Sequence, residues 1–194
     1  MKNLKSKSSL SKVKIIAGSW KGQYIKISPD LDIRPTKNII RETLFNWLSK
    51  SIDKSICLDL YTGSGAISVE AASRGAKEVT LVDVERNNIS FLQNELSKFH
   101  YDGFKFVNST AEDYIKSCKV KYDIIFLDPP FKGKELENII KVLEVSEIIK
   151  IGSIVYIEAS LLSLSQVLDS VPTSWEELKS KKSGNVAYLL FSVC

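Results

Sequence analysis

The sequence predicts an α/β protein built on a doubly wound, mostly parallel seven-stranded sheet. From residue 55 onward, short runs of β-branched and aromatic residues alternate with segments of helical periodicity. Strands that alternate with crossover helices form a parallel sheet with helices on both faces. A last pair of strands, near residues 175–178 and 186–193, predicts a hairpin that places one antiparallel strand at the sheet edge.

Length and composition limit the classes of protein that fit. At 194 residues the chain favours one domain with a short extension. It has no apolar run long enough to span a membrane and no apolar core of a secretory signal. Three widely spaced cysteines and a single histidine do not favour a disulfide framework, a zinc site or a histidine-dependent triad. We therefore expect a cytoplasmic protein without a metal.

The charge is distributed unevenly along the chain. Residues 1–54 hold 12 basic and 4 acidic side chains, whereas the remainder hold 15 basic and 19 acidic ones. A basic segment on a mildly acidic body is typical of a polyanion-binding extension. We divide the chain into a flexible basic tail (1–12), a hairpin-and-helix extension (13–54) and the main domain (55–194).

The extension predicts a hairpin followed by a helix. Residues 13–27 form two short strands around a glycine-bounded turn, and lysines there interleave with aromatic residues, a mixture that grips single-stranded nucleic acid. A helix follows Thr36, the expected N-cap. Basic residues near its start face a phosphate or a cofactor carboxylate, or are simply solvated. The candidate nucleic-acid contacts are Lys14, Trp20, Lys21, Arg34, Lys37 and Arg41.

A glycine turn follows the first strand of the main domain. Gly63 permits a tight turn, Gly65 allows a ligand to approach the backbone, and the next helix offers unpaired N–H groups. A dinucleotide fingerprint would place a third glycine at Ser68, so bound pyrophosphate is not favoured. Asp83 ends the next strand and is placed to accept hydrogen bonds from two ribose hydroxyls. S-adenosylmethionine, an adenosine with a small carboxylate-bearing tail, fits this pattern; the alternative is an ordinary turn and a strand-end acid.

The segment Asp128-Pro129-Pro130-Phe131 follows a buried apolar strand at 122–127. Two prolines remove two N–H donors, so the backbone cannot continue the sheet there. A carboxylate, free carbonyl groups and an aromatic ring then suit a planar amino group such as a nucleobase edge. The alternative is a proline turn in which Asp128 caps the next helix.

These segments together resemble a known enzyme family. Residues 58–65, Asp83 and residues 128–131 resemble motifs I, II and IV of class I S-adenosylmethionine-dependent methyltransferases, which have a Rossmann-like fold. Segments 14–22, 34–36, 41–48 and 184–188 are similar to the RsmD family. Its members are bacterial methyltransferases that modify N2 of one guanosine in 16S ribosomal RNA. The resemblance covers residues from about 13 to the C-terminus.

The resemblance implies roles for individual residues. The implied cofactor-binding residues are Asp59, Tyr61, Thr62, Gly63, Ser64, Gly65, Asp83, Val84, Ser109, Thr110, Ala111 and Asp128. The implied catalytic residues are Asp128, Pro129, Pro130 and Phe131. Family members often carry Asp where this chain has Thr110, so the adenine contact falls to a neutral hydroxyl or to Glu112. Asp59 orients the glycine turn or meets the cofactor ammonium, and Glu158 is either a base-pocket residue or a structural strand end.

Two other functions fit parts of the pattern. A DNA adenine or cytosine-N4 methyltransferase shares the Asp128 segment, but it usually needs a larger target-recognition region. An inactive RNA-binding assembly factor would not need an intact glycine turn, Asp83 and Asp128. The implied partners are S-adenosylmethionine and 16S rRNA, either as the free chain or within an assembling 30S particle, with the protein as a monomer.

Overall fold

A computed structural model of the protein describes residues 11–29, 37–130 and 133–194. These residues alternate between strands and helices after residue 55, as the sequence predicts. The elements in chain order are β1 (Lys12–Lys14), β2 (Tyr24–Lys26), α1 (Asn38–Trp47), β3 (Ile56–Asp59), α2 (Ala66–Ser73), β4 (Glu78–Asp83), α3 (Arg86–Leu96), a 3₁₀ turn (Ser97–Phe99), β5 (Phe104–Asn108), α4 (Ala111–Ser117), β6 (Ile124–Leu127), α5 (Glu135–Glu144), β7 (Ile154–Ser160), α6 (Leu164–Ser170), β8 (Trp175–Ser183) and β9 (Val186–Val193).

Seven strands form one sheet in the order β5-β4-β3-β6-β7-β9-β8. Strands β3 to β7 are parallel to one another, and β9 is antiparallel to both β7 and β8. The predicted mostly parallel sheet is confirmed. The antiparallel strand β9 lies one position in from the edge, because the terminal hairpin folds back and β8 takes the edge itself. The order reverses between β3 and β6, which places a ligand-binding crevice at the carboxyl ends of these strands.

Helices cover both faces of the sheet, and side chains alternate between two apolar cores. Cys57 and Phe126 pack on the face covered by α1, α2, α3 and the β1–β2 hairpin. Leu58 and Ile125 pack on the opposite face, against α4, α5 and α6. This alternation follows from the period of two along a strand. Among the described residues, no helix is long and apolar enough to cross a membrane.

The β1–β2 hairpin is part of the protein core. Its inward side chains Val13, Ile15, Ile25 and Ile27 are between 0% and 4% exposed. They cover α2, whose eight residues are all buried. The predicted pair of strands is confirmed, and the hairpin packs on the body of the protein, which a two-stranded ribbon needs for stability.

The turn of this hairpin lies at the end of the molecule away from the glycine turn. The Trp20 backbone N–H donates to Ser73 Oγ at 3.0 Å, and Ser73 is the last residue of α2, whereas the glycine turn precedes its first residue. The Trp20 ring stacks on Phe99 with centroids 4.3 Å apart. Gly18 is required here, since a Cβ atom would lie 1.8 Å from the Ser73 carbonyl oxygen. The Trp20 ring is therefore partly buried against the protein, and its stacking on nucleic-acid bases stays a prediction.

A buried carboxylate joins the hairpin to two helices. Glu70 is 0% exposed and accepts hydrogen bonds from the backbone N–H groups of Ile16 at 2.8 Å and Ala17 at 3.0 Å. It also pairs with Arg74 at 2.7 Å and with Arg41 at 3.5 Å. Four donors from three elements therefore converge on one side chain.

Arg41 is an internal residue. It is 0% exposed, and its guanidinium donates to the Lys14 carbonyl oxygen at 2.9 Å and to Asn38 Oδ1 at 2.7 Å, in addition to its pairing with Glu70. The prediction that Arg41 contacts nucleic acid is therefore wrong, because its donors are directed at the protein interior. Arg34 and Thr36 lie outside the described residues.

We expect Glu70→Ala to destabilise the protein by about 3–5 kcal/mol, because it leaves the Arg41 charge buried without its partner. Urea unfolding of the ligand-free protein measures this change. Glu42→Ala, on the exposed side of α1, is the matched control and should change the free energy of unfolding by less than about 0.5 kcal/mol. Equal stability of the two variants would contradict a structural role for Glu70.

Candidate active site

Four acidic side chains gather at the carboxyl ends of neighbouring strands. Asp59 ends β3, Asp83 ends β4, Asp128 follows β6, and Glu158 lies near the end of β7. Because these strands are parallel and adjacent, their carboxyl ends meet at one edge of the sheet. The sequence-predicted glycine turn lies at the same edge, between β3 and α2.

The glycine turn is fixed by backbone hydrogen bonds. Thr62 N–H donates to the Val82 carbonyl at 3.0 Å, and Gly65 N–H donates to the Thr62 carbonyl at 2.8 Å. Gly65 has a φ of 74°, and a Cβ atom there would lie 2.9 Å from Leu92 Cδ2. A residue other than glycine would therefore be strained at this φ and would require the Leu92 side chain to move. Tyr61 and Ser64 lie in the same turn, and the Tyr61 hydroxyl donates to Glu135 Oε1 at 2.8 Å.

The carboxylate of Asp83 binds the glycine turn directly. Its Oδ2 accepts hydrogen bonds from Gly63 N–H at 3.1 Å and from Asn88 Nδ2 at 2.7 Å. Its Oδ1 accepts from Glu85 N–H at 2.9 Å. Since a carboxylate offers about four acceptor sites, Oδ1 retains capacity for a hydroxyl group. This arrangement suits the expected ribose contact. It also fixes the glycine turn relative to the end of β4.

Asn88 is a site residue that the sequence reasoning missed. It is 2% exposed, and its Nδ2 donates to the Gly63 carbonyl at 2.8 Å as well as to Asp83. Its Oδ1 is buried without a hydrogen-bond partner among the described residues. The available signal was an amide in the first turn of the helix that follows Asp83. Asn88 positions both the turn and the acid.

Asp59 is buried beneath the glycine turn. Its Oδ2 accepts a hydrogen bond from Ser68 Oγ at 2.5 Å, while Oδ1 has no partner in the part of the chain that the structure describes. Burial is the largest cause that raises the pKa of Asp59 to about 7, and the charges of Asp128 and Asp83 act in the same direction. A buried acceptor without a donor fits the cofactor ammonium that the sequence analysis placed here.

The side chains predicted to accept a hydrogen bond from the adenine amine are bonded to other groups of the protein. Thr110 is the N-cap of α4: its Oγ1 accepts from Asp113 N–H at 3.1 Å and donates to Asp113 Oδ2 at 2.8 Å. Glu112 pairs with Lys116 at 2.5 Å. The backbone N–H of Ser109 donates to the Asp83 carbonyl at 3.2 Å, and Ala111 is buried. Both proposed acceptors for the adenine amine thus already have partners, and the adenine contact stays a prediction.

Val84 offers a different kind of adenine contact. It follows Asp83 directly, and its side chain is 60% exposed although it is apolar. An exposed valine beside Asp83, the expected ribose contact, can pack on the face of an adenine ring. Apolar packing of this kind does not depend on the hydroxyl of Thr110.

In the order of the strands, Asp128 lies between Asp59 and Glu158. It is half-buried, and its charge raises the pKa values of Asp59 and Glu158. Burial is the larger cause for Glu158 and, with the Asp128 charge, raises its pKa to about 8. The Tyr156 hydroxyl donates to Glu158 Oε2 at 3.0 Å. Pro129 is buried and Pro130 is exposed, whereas Phe131 lies outside the described residues.

Cross-strand pairs connect Glu158 with the edge strand β8. Glu158 pairs with Tyr188 across β7 and β9, and Tyr188 pairs with Lys181 across β9 and β8. Cross-strand partners share one face of a sheet. Lys181 is exposed and was not among the predicted nucleic-acid contacts. Its position on an edge strand, opposite a site residue, could not be read before the register was known.

The predicted basic contacts fall into two groups. Lys37, at the start of α1, extends towards the β8–β9 turn, with its Nζ 3.8 Å from where a Cβ atom on Gly184 would lie. Lys14 is exposed nearby, since its carbonyl binds Arg41 of α1. Lys21 instead lies in the hairpin turn beyond the far end of α2. Lys14 and Lys37 therefore lie near the carboxyl edge of the sheet, and Lys21 does not.

Comparison with known proteins identifies the family of this chain. A sequence profile of the family Cons_hypoth95, described as "Conserved hypothetical protein 95", matches residues 13–192. The chain belongs to this family. Two proteins with sequences similar to this chain are each named "Ribosomal RNA small subunit methyltransferase D". The protein from Buchnera aphidicola subsp. Baizongia pistaciae is 38% identical over 192 residues, which cover 98% of this chain and 97% of that protein. The protein from Escherichia coli K12 is 34% identical and covers 95% and 91%.

Solved structures agree with this assignment. The structure described as "Putative methyltransferase yhhF from Escherichia coli" has a TM-score of 0.85 and 34% identity, covering 94% of this chain and 98% of that one. A methylase from Haemophilus influenzae, HI0767, has a TM-score of 0.76 and 31% identity, covering 94% and 99%. The resemblance stated from the sequence motifs is confirmed, and so is the Rossmann-like fold.

We expect the stability of the ligand-free protein to fall as pH rises from about 4 to about 7, in part because of Asp59. Its pKa is raised in the folded state, so the folded state holds a proton that the unfolded state releases. Asp59→Asn should reduce the loss of unfolding free energy between pH 5 and pH 8 by on the order of 1 kcal/mol or more. Urea unfolding at both pH values measures it.

Asp169→Asn, an exposed change on α6, is the control for this measurement. It should leave the pH dependence as in the unmodified protein. A pH dependence that is the same in all three proteins would show that Asp59 titrates normally.

Proposed function

We propose that the protein transfers a methyl group from S-adenosylmethionine to the exocyclic N2 amine of a guanosine in 16S rRNA. The observation that carries this proposal is the position of Asp128. It follows the strand next to the one that ends at Asp59, and its charge acts on Asp59 beneath the glycine turn. A carboxylate for the target amine and a site for the methyl donor therefore adjoin. The family relatives support the substrate class.

The acidic residues suit the charge of this cofactor. S-adenosylmethionine carries a sulfonium and an ammonium against one carboxylate, and when bound it supplies an electrophilic methyl group. Asp59, Asp83 and Asp128 form an acidic edge at the carboxyl ends of the strands, whereas the helix start after Gly65 offers N–H groups to a carboxylate. Asp83 and the exposed Val84 then take the ribose and the adenine face.

The role of Asp128 is to prepare a poor nucleophile. The lone pair of an aromatic amine is delocalised into its ring. Hydrogen bonds from the two amine protons to Asp128 and to the Pro129 carbonyl localise that lone pair towards the methyl group. The Asp128 carboxylate also stabilises the positive charge that develops on nitrogen. Phe131 is proposed to stack on a base extruded from its helix.

Lysines beside this edge provide contacts for the RNA backbone. Lys14, Lys37 and Lys181 are exposed close to the carboxyl ends of the strands, and their ammonium groups can neutralise phosphates. Phosphates are presented both by free 16S rRNA and by an assembling 30S particle. Action on this substrate places the protein in the bacterial cytoplasm, and the site as proposed is complete within one monomer.

The activity is tested by mapping. 16S rRNA from cells with and without this protein is analysed for N2-methylguanosine, and the purified protein is assayed on the unmethylated rRNA and on DNA with labelled cofactor. We expect one guanosine that is methylated only when the protein is present. Transfer to DNA adenine or cytosine would favour a DNA methyltransferase, and cofactor binding without any transfer would favour an assembly factor.

We expect Asp128→Ala to lower kcat by roughly 10²–10³, because one contact to the developing charge is lost. Cofactor affinity, measured by calorimetric titration, should change by only a few-fold. Asp169→Asn serves as the control for loss of a negative charge elsewhere. A variant that retains most of its kcat would remove Asp128 from the mechanism.

We expect Lys37→Ala and Lys181→Ala each to weaken rRNA binding and to lower the slope of log Kd against log salt by about 1. Lys21→Ala is the matched control, since it removes the same charge at the other end of α2. Filter binding across a range of salt concentrations measures all three. A larger effect of Lys21→Ala than of the other two would place the RNA on the hairpin turn instead.

A further inference from the structure

Glu158 is a buried acid whose role the proposed mechanism does not yet use. It is 5% exposed and forms no ion pair with a described cation. Its hydrogen bond within the described part of the chain comes from Tyr156, which is itself fully buried in the core. An acid held in this way is costly to bury. Such costs are typical of groups retained for a ligand.

The position of Glu158 ties it to the target amine. Leu127 of β6 pairs with Ile157 of β7, so Asp128 and Glu158 are the next residues along two adjacent strands. Because side chains alternate along each strand, the two carboxyl groups lie on the same face, about 4.8 Å apart at the backbone. The effect of the Asp128 charge on the pKa of Glu158 agrees with this proximity.

The two acids together form a pattern that distinguishes bases. Guanine presents two kinds of donor side by side, its N2 amine and its N1–H. Adenine and cytosine present an acceptor nitrogen beside the exocyclic amine instead. A site with two adjacent acceptors therefore satisfies guanine and leaves an unpaired acceptor against either of the other bases.

We propose that Glu158 is a specificity-determining residue that accepts a hydrogen bond from N1–H of the target guanine while Asp128 accepts one from its N2 amine. This inference rests on the proposed function. Tyr156 positions the group: its hydroxyl donates to Oε2 and leaves Oε1 for the base. A hydrogen bond from N1–H of the guanine favours the ionised form of Glu158, which accepts and does not donate. Residues 128–131 resemble a segment that adenine and cytosine methyltransferases also contain, and Glu158 explains how this chain selects guanine.

The test uses RNA in which the mapped target guanosine is replaced by 2-aminopurine. This base keeps the N2 amine but has an acceptor at N1 where guanine has N1–H. For the unmodified protein we expect kcat/KM on guanosine RNA to exceed that on 2-aminopurine RNA by about tenfold or more. This measurement needs no variant. Equal values for the two RNAs would overturn the proposal.

Two variants sharpen the result. Glu158→Gln presents an amide that can donate to the N1 acceptor of 2-aminopurine, so the preference for guanosine should fall to within about threefold or reverse. Glu158→Ala removes the acceptor and should also reduce the preference. Titration with S-adenosylmethionine checks that each variant is folded. An unchanged preference in a folded variant, with both rates lowered equally, would assign Glu158 a structural role.

Failure of this inference is separate from failure of the proposed function. If the unmodified protein methylates no guanosine in 16S rRNA, the proposed function itself is wrong. If it methylates guanosine RNA and 2-aminopurine RNA alike, only the role of Glu158 is wrong.

Discussion

The rest of the structure depends on the contacts of the buried Glu70 carboxylate. Glu70 belongs to α2, accepts hydrogen bonds from two backbone N–H groups of the hairpin and pairs with Arg41 of α1. Since α2 begins directly after Gly65, whatever fixes this helix also fixes the glycine turn at its start. The N-terminal extension therefore contributes to the cofactor site through packing, at a distance from the ligand.

The acidic side chains at the carboxyl ends of the strands lower the stability of the fold, in contrast to the Glu70 contacts. Burial and the charge of Asp128 raise the pKa values of Asp59 and Glu158, so ionising these two acids in the ligand-free protein costs stability. Conflicts of this kind are expected where a fold serves a ligand, because the ligand supplies the missing partners.

Local patterns in the sequence were sufficient for the fold and for part of the site. Alternating strand and helix periodicity predicted the parallel sheet, and the acids at strand ends had to meet at one edge once the strands were parallel. Trp20 and Arg41 could not be predicted, because their surroundings depend on how the hairpin folds back onto α2. The same limit applied to Asn88 and Lys181: their roles follow from strand order and register, which local patterns do not contain.

The arrangement of charge explains how one edge of the sheet can serve two ligands of opposite sign. Asp59 is buried beneath the glycine turn and Asp83 is half-buried beside it, whereas Lys14, Lys37 and Lys181 are exposed around it. A cationic cofactor is attracted to the interior of the site and a polyanion to its surroundings, so neither competes for the charges of the other.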